Sequence, residues 1–307
     1  MSARAELPDV VRARAELLGG PGRAWMAGLD ALVDELAGRW RLTVLGSLSG
    51  GTAAVVLRCR DADGRDAVLK LAVPDPELAH QVDTLVRAAG RGYARVLAAD
   101  ADRFAVLLEA LGPSLDRSGL PPEDQLGILC ETLAEAWAVP PAAGRPPPDK
   151  AGQLHDLVSR LWRDLDEACP RSVRDRALGC AERRSADPPA RRVLVHGDAA
   201  APNCLRVPEP RPGAGSGYVF VDPDGFVGDP AYDLGVALRD WSPQLLAAGD
   251  AAATMRRWCR LVAGRSGLDA TAIEDWALLE RVSTGLVALS LGMADVGRAM
   301  LRSAEAL

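Results

Sequence analysis

Lysine is almost missing from this chain. Of 36 basic residues only two are lysine, Lys70 and Lys150, and the rest are arginine. The bias fits a GC-rich coding sequence, and a lysine retained against it marks a place where a planar guanidinium would not serve. Lys150 follows a proline run and reads as a solvated side chain, whereas Lys70 sits in an apolar strand and needs a reason. Long apolar runs are absent too; none approaches the roughly 20 residues that span a bilayer. Met1 to Val10 carries no basic-then-apolar leader pattern. The six cysteines are scattered, with no Cys-x-x-Cys pair and no zinc-like spacing, so reduced thiols in the cytoplasm are expected. No Gly-Lys-Ser/Thr motif occurs, because neither lysine follows a glycine; this excludes a Walker-type phosphate loop. The net charge of −6 disfavours nucleic acid as a partner and suits a neutral or cationic small molecule, although solubility alone would also account for it.

What is present supports a globular protein of two units. The chain has 307 residues, 48% of them apolar. Trp25, Leu29, Leu32, Leu36 and Trp40 recur at helical steps over 21–40. Strand patterns follow at 42–45, 53–60 and 67–73, with Asp63-Gly64 supplying a hairpin turn between the last two. In the third strand Val68, Lys70 and Ala72 share one face. A helix over 77–89 and two strands near 94–99 and 103–109 complete the first part. Leu111-Gly112-Pro113 breaks the pattern, which divides the chain into 1–110 and 111–307. The second part reads as helices at 122–138, 151–168, 172–184, 229–240, 250–264, 270–292 and 295–306. Two short strands, 193–195 and 218–221, interrupt them, and 208–217 reads as a mobile loop from its proline and glycine content.

The densest chemistry lies in His196-Gly197-Asp198-Ala199-Ala200-Ala201-Pro202-Asn203 and in Asp222-Pro223-Asp224-Gly225. Phosphoryl transfer needs a base at the attacking hydroxyl and oxygen ligands for a divalent cation. Asp198 with Asn203 five residues later, and Asp222 at the end of a nearby strand, supply both. Each residue alone reads equally as a turn or cap residue. Together, after five strands and a linker, they point to a kinase.

These motifs resemble the signature of the aminoglycoside phosphotransferases. The run from Phe220 to Trp241, and the opening from Gly22 to Trp40, are similar to the branch that contains streptomycin 6-kinases and hydroxyurea kinases. The resemblance implies an α+β, protein-kinase-like two-lobed fold. A small N-terminal lobe would carry a five-stranded antiparallel sheet, and a mainly helical C-terminal lobe would hold the catalytic and acceptor sites. It implies transfer of the γ-phosphoryl of ATP, or GTP, to a hydroxyl of an aminoglycoside or related antibiotic, with Mg2+. By resemblance Asp198 is the base, Asn203 and Asp222 hold the metal, and Lys70 holds the α- and β-phosphates. His196 and Asp233 brace the loop, and Asp229 caps the next helix. Asp83 is the expected acidic partner of Lys70, ahead of Glu77 at the helix start; Gln81 lacks the charge. Ser47, Ser49, Gly50 and Thr52 occupy the place of the phosphate-covering loop, without its usual glycine pattern. The backbone at Glu109 to Leu111 would meet the adenine edge.

Two departures from the family stand out. Ala199-Ala200 replaces a common Leu-His pair, and the partner of Lys70 is one methylene short. Asp224, Asp240, Glu274 and Glu280, with Asp275, are candidates to meet a cationic acceptor; each also reads as a solvated helix face. A kinase of a non-antibiotic metabolite, or a nucleotide-binding pseudokinase, would carry the same motifs.

Overall fold

The computed structural model describes residues 6–48, 53–75, 79–142 and 146–307. The chain divides into two compact units, Met1–Gly112 and Pro113–Leu307.

In the first unit α1 (Asp9–Leu17) and α2 (Gly20–Trp40) precede β1 (Thr43–Leu48), β2 (Ala54–Arg60) and β3 (Asp66–Ala72). Then come α3 (Ala79–Ala88), β4 (Val96–Asp100) and β5 (Ala105–Glu109). The five strands form one antiparallel sheet in the order β1-β2-β3-β5-β4. The pleat sends Ala67, Leu69 and Leu71 of β3 into a core shared with Val11, Leu29, Val33 and Leu36 of the two leading helices. Lys70 falls on the opposite face of β3, as the alternation requires, and is 8% exposed.

The second unit is mainly helical. It runs through α4 (Pro122–Ala136), α5 (Lys150–Asp164), α6 (Arg171–Ala186), β6 (Val193–Val195), β7 (Cys204–Arg206), β8 (Tyr218–Phe220) and β9 (Phe226–Gly228). It closes with α7 (Pro230–Ala237), α8 (Ser242–Ala247), α9 (Ala251–Ser266), α10 (Ala270–Ser290) and α11 (Ala294–Glu305). Strand β6 pairs with β9, and β7 with β8. Strands β7 and β9 and helix α8 lie outside the sequence expectation. Each is too short to show a period, and only a pairing or packing partner defines it. The expected helix over 229–240 ends at Ala237. The loop 208–217 differs from expectation as well: Ser216 Oγ lies 2.8 Å from Thr132 Oγ1 of α4, and Ala214 is buried.

Helix α10 is the spine of this unit. Its Arg281 is wholly buried and donates to Ser242 Oγ (2.6 Å), Ser303 Oγ (2.9 Å) and the Leu238 carbonyl (2.5 Å). One guanidinium thus fastens α8, α11 and the end of α7 to α10, using its fixed fork of donors. Burial draws its pKa down to about 10, which leaves it charged at neutral pH. Among the described residues no helix is long and apolar enough to cross a membrane. All six cysteines are free and buried.

Helices α7 and α10 approach closely at Gly235. A Cβ there would sit 2.4 Å from Trp276 Cβ and 2.8 Å from the Ala277 backbone nitrogen, so the helices would have to separate. Gly235→Ala should lower unfolding stability by about 1–3 kcal/mol, measured by urea denaturation.

Candidate active site

The site is built on the loop that leaves β6. Val195 pairs with Phe226 across β6 and β9, and the next residues turn sharply. Gly197 has φ +90°, and a Cβ on it would lie 2.5 Å from Asp224 Cβ. Both the backbone angle and the space demand glycine. The turn is held from below by Asp233 of α7, which is wholly buried. Its Oδ2 accepts from the His196 N–H (2.9 Å) and from Trp137 Nε1 (2.9 Å); its Oδ1 accepts from the Gly197 N–H (2.9 Å). Burial pushes Asp233 up to about 6, against the pull of these three donors. Asp229 caps α7 by accepting from the Ala231 N–H (2.9 Å), and its other oxygen accepts from Trp276 Nε1 (2.8 Å).

His196 is buried against Phe220, with ring centroids 4.7 Å apart. Its Nδ1 accepts from the Asp198 N–H (3.1 Å), which leaves the proton on Nε2 to be donated to the Val221 carbonyl (2.9 Å). Burial lowers its pKa, in keeping with this neutral tautomer. The ring therefore joins the Asp198 loop to the residue that follows β8.

Asp198, Asn203 and Asp222 come together by strand pairing. Cys204 pairs with Phe220, and one step outward the Val221 N–H donates to the Asn203 carbonyl (2.9 Å). This register places Asn203 beside the start of the Asp222 turn. Asn203 Nδ2 donates to Asp198 Oδ2 (2.7 Å) and to the Asp198 carbonyl (3.0 Å). Asp222 has φ +59°, a left-handed conformation that costs a non-glycine residue about 1–3 kcal/mol and tends to be kept where a side chain must be aimed.

These residues fit a small, hard cation. With its nitrogen committed to Asp198, Asn203 has its amide oxygen to offer, and Asp222 adds a carboxylate. Magnesium takes one or two such protein oxygens and completes its shell with water and phosphate. Among the described residues no group of three or more His, Cys, Asp or Glu is placed to hold a metal ion.

Arg239 is the residue the sequence did not flag. It follows α7, and its side chain is 14% exposed. Its Nη2 donates to Asp198 Oδ1 (2.5 Å), its Nη1 to Glu280 Oε2 (3.3 Å) and its Nε to Asp240 Oδ1 (3.3 Å). Burial works against the ionised form of Asp198. The Arg239 charge and hydrogen bond outweigh it, with smaller help from His196 and Asn203, so the pKa is lowered and the group is a carboxylate at neutral pH. The only prior sign of Arg239 was its place six residues beyond Asp233 in one motif run.

A cavity of about 290 Å³ opens beside Asp198, lined among others by Asp224, Glu280, Tyr232, Arg239 and Lys150. Tyr232 Oη donates to Glu280 Oε1 (2.6 Å). Burial pushes Asp224 up to about 6, with Lys150 pulling it the other way. Of the acidic acceptor candidates, Asp224 and Glu280 line this cavity, while Asp240 is turned onto Arg239. Glu274 and Asp275 line a separate cavity of about 410 Å³ between α6, α9 and α10, where Asp275 pairs with Arg183 (2.6 Å) and Arg184 (3.0 Å). Lys150 corrects the expectation of a solvated side chain: its ammonium lies over the rings of Phe226 (5.5 Å) and Tyr232 (5.3 Å).

In the first unit Lys70 Nζ donates to Gln81 Oε1 (3.3 Å). Asp83, the expected partner, instead accepts from Arg87 (2.7 Å) on an exposed face. Residues two apart on a helix lie about 200° apart, so the face that brings Gln81 to β3 turns Asp83 away. Glu109 Oε1 accepts from the Arg95 N–H (2.8 Å), and the Glu109 N–H is donated to the Arg95 carbonyl. Leu111 lies beyond β5 and is partly exposed. Ser47 Oγ accepts from the Glu6 N–H (3.0 Å). Ser49, Gly50, Thr52 and Glu77 lie outside the described residues.

The Asp233 clamp predicts a specific defect. Asp233→Asn replaces one acceptor oxygen by a donor facing a backbone or indole N–H. Stability should fall by about 1–3 kcal/mol and kcat with it, as read by chemical denaturation and steady-state kinetics. Wild-type values in both would mean that the clamp does not order the loop.

Comparison with known proteins agrees with this geometry. A family model described as aminoglycoside/hydroxyurea antibiotic resistance kinase matches residues 39–292. A streptomycin 6-kinase of Streptomyces glaucescens is 33% identical, over 98% of this chain and 97% of that protein. One of Streptomyces griseus is 32% identical, over 94% and 92%. Among solved structures, a macrolide 2'-phosphotransferase from Brachybacterium faecium superposes with a TM-score of 0.57 at 20% identity, covering 90% of this chain and 97% of that one. The structural likeness gives the fold, which is protein-kinase-like. The extent of the sequence match gives the family: the chain belongs to the aminoglycoside/hydroxyurea antibiotic resistance kinases.

Proposed function

We propose that this enzyme inactivates a streptomycin-type aminoglycoside by moving the γ-phosphoryl group of ATP onto one of its hydroxyls, with Asp198 as the base. The observation that carries the reading is the hydrogen bond between Asp198 and Asn203 (2.7 Å), on a loop that strand pairing joins to Asp222. The choice of acceptor rests on relatives of that activity that match over nearly their whole length.

Asn203 and Asp222 would hold a magnesium ion, which when bound neutralises charge on the phosphate oxygens. Lys70, a compact ammonium on a flexible stem, is the proposed ligand of the α- and β-phosphates. The backbone of Glu109 to Leu111 is the proposed adenine contact. Asp198 does the proton chemistry. Arg239 and Asn203 each occupy one lone pair of its carboxylate, and the remaining lone pairs can accept a hydrogen bond from the acceptor hydroxyl. That hydroxyl oxygen attacks the γ-phosphorus, the bond to the bridging oxygen breaks, and ADP leaves. The hydroxyl proton passes to Asp198. Its lowered pKa makes Asp198 a weak base, so the proton moves late, as expected where bond-breaking runs ahead of attack. Most of the rate then comes from position and fixed charge.

Asp198→Ala should reduce phosphoryl transfer by about 10²- to 10⁴-fold and leave the ATP dissociation constant nearly unchanged. Transfer of labelled phosphate to streptomycin, hydroxyurea and choline measures the first, and equilibrium titration the second. Near-full activity of this variant would remove Asp198 from the role of base, and labelling of choline alone would remove the antibiotic acceptor. Asp222→Asn should raise the magnesium concentration needed for half-maximal rate by about ten-fold or more, since a charged ligand becomes neutral.

A further inference from the structure

Lys150 is the sole lysine of the second unit, and its placement is physically odd. It is the first residue of α5, where the helix dipole disfavours a cation. Asp149 caps that helix end by accepting from the Gly152 N–H (2.9 Å), so the lysine is not needed to terminate it. Its ammonium makes no hydrogen bond or ion pair among the described residues. It rests over the faces of Phe226 and Tyr232, whose rings stand edge to face at 5.6 Å. Two ring faces around an ammonium are a recognised way of binding a cation.

The surroundings are those of a binding site for positive charge. The cavity wall carries the carboxyl groups of Asp198, Asp224 and Glu280 against the cations Arg239 and Lys150. Arg239 is held in place by its bonds to Asp198, Glu280 and Asp240. Among the described residues Lys150 is held by ring faces and by the charge of Asp224. Its stem has four rotatable bonds and its head is compact, so it can swing out. An arginine would stack flat on the rings and bind them more firmly.

We infer that Lys150 sets acceptor specificity: its ammonium fills a cation subsite formed by Phe226, Tyr232 and Asp224, which an ammonium or guanidinium group of the acceptor takes over by displacing it. The inference rests on the reading of the cavity beside Asp198 as the acceptor site; Lys150 and Tyr232 line it, and both also line the neighbouring cavity of about 270 Å³ that Phe226 lines. The tethered cation competes with every incoming one. A small amine gains too little to displace it, whereas an acceptor with further contacts along the cavity can. Lys150 thus screens out simple amines.

Tetramethylammonium chloride titrated at constant ionic strength, followed by saturation-transfer NMR, tests this without nucleotide or turnover. It therefore reads the subsite even if no antibiotic tested is phosphorylated. Lys150→Met should bind the probe about ten-fold more tightly than wild type, and Lys150→Gln should do likewise. Adding Phe226→Leu to Lys150→Met should remove most of the gain. Unchanged or weaker binding in both Lys150 variants would overturn the inference, as would a gain that survives loss of the Phe226 ring. A rise of about ten-fold in the streptomycin KM of Lys150→Met would overturn it too, because Lys150 would then be a ligand of the acceptor and not its competitor.

Discussion

The second unit depends on one buried carboxylate. Asp233 takes the backbone N–H groups of His196 and Gly197 and the indole N–H of Trp137, and so joins α7, the loop after β6 and the end of α4 at a single point. A buried carboxylate is costly unless its lone pairs are filled, and filling them requires the loop to take one shape. That shape makes Gly197 left-handed and sets the His196 ring between the Asp198 N–H and the Val221 carbonyl. Asp198 follows directly on this clamped turn, and the Val221 N–H bonded to the Asn203 carbonyl sets Asn203 beside the Asp222 turn.

Charge is arranged on top of this frame. Arg239 links the proposed base to Glu280 on α10 and to Asp240 beside it. Because α10 is locked to α8 and α11 through Arg281, the arginine that tunes Asp198 is anchored in the centre of the unit. The proposed acceptor cavity therefore shares its walls with the proposed base. In the proposed reading, a cation entering near Asp224 and Glu280 would be felt by Asp198 through the same network, which would join recognition of the acceptor to readiness of the base.

The motif residues were legible because phosphoryl transfer asks for particular side chains at fixed intervals along the chain. Asp198 and Asn203 lie five apart on one loop, and Asp222 stands two residues past β8, the strand that pairs with the residues after Asn203. Arg239 was not legible: arginine is the common cation of this chain, and one more beside Asp240 carries no pattern. The rarity of Lys150 is visible in the sequence but its setting is not, because the proline run before it hides that α5 begins there against two aromatic rings. Charge alone favours Asp83 over Gln81 as the partner of Lys70, but the helix phase turns Asp83 outward to Arg87.

The sequence by itself determined the family, the five strands followed by a helical unit, and the three polar residues proposed to surround the phosphate. Those are written in local order and spacing, which no partner can change. Only the tertiary structure decided which cation faces Asp198, which carboxylates share the cavity beside it, and where the lone lysine of the second unit rests. Those are contacts between segments up to some 80 residues apart, as in Glu280 with Arg239 and Tyr232 and Lys150 with Tyr232, and long-range contacts follow from helix phase and packing, which leave no repeat in the sequence to read.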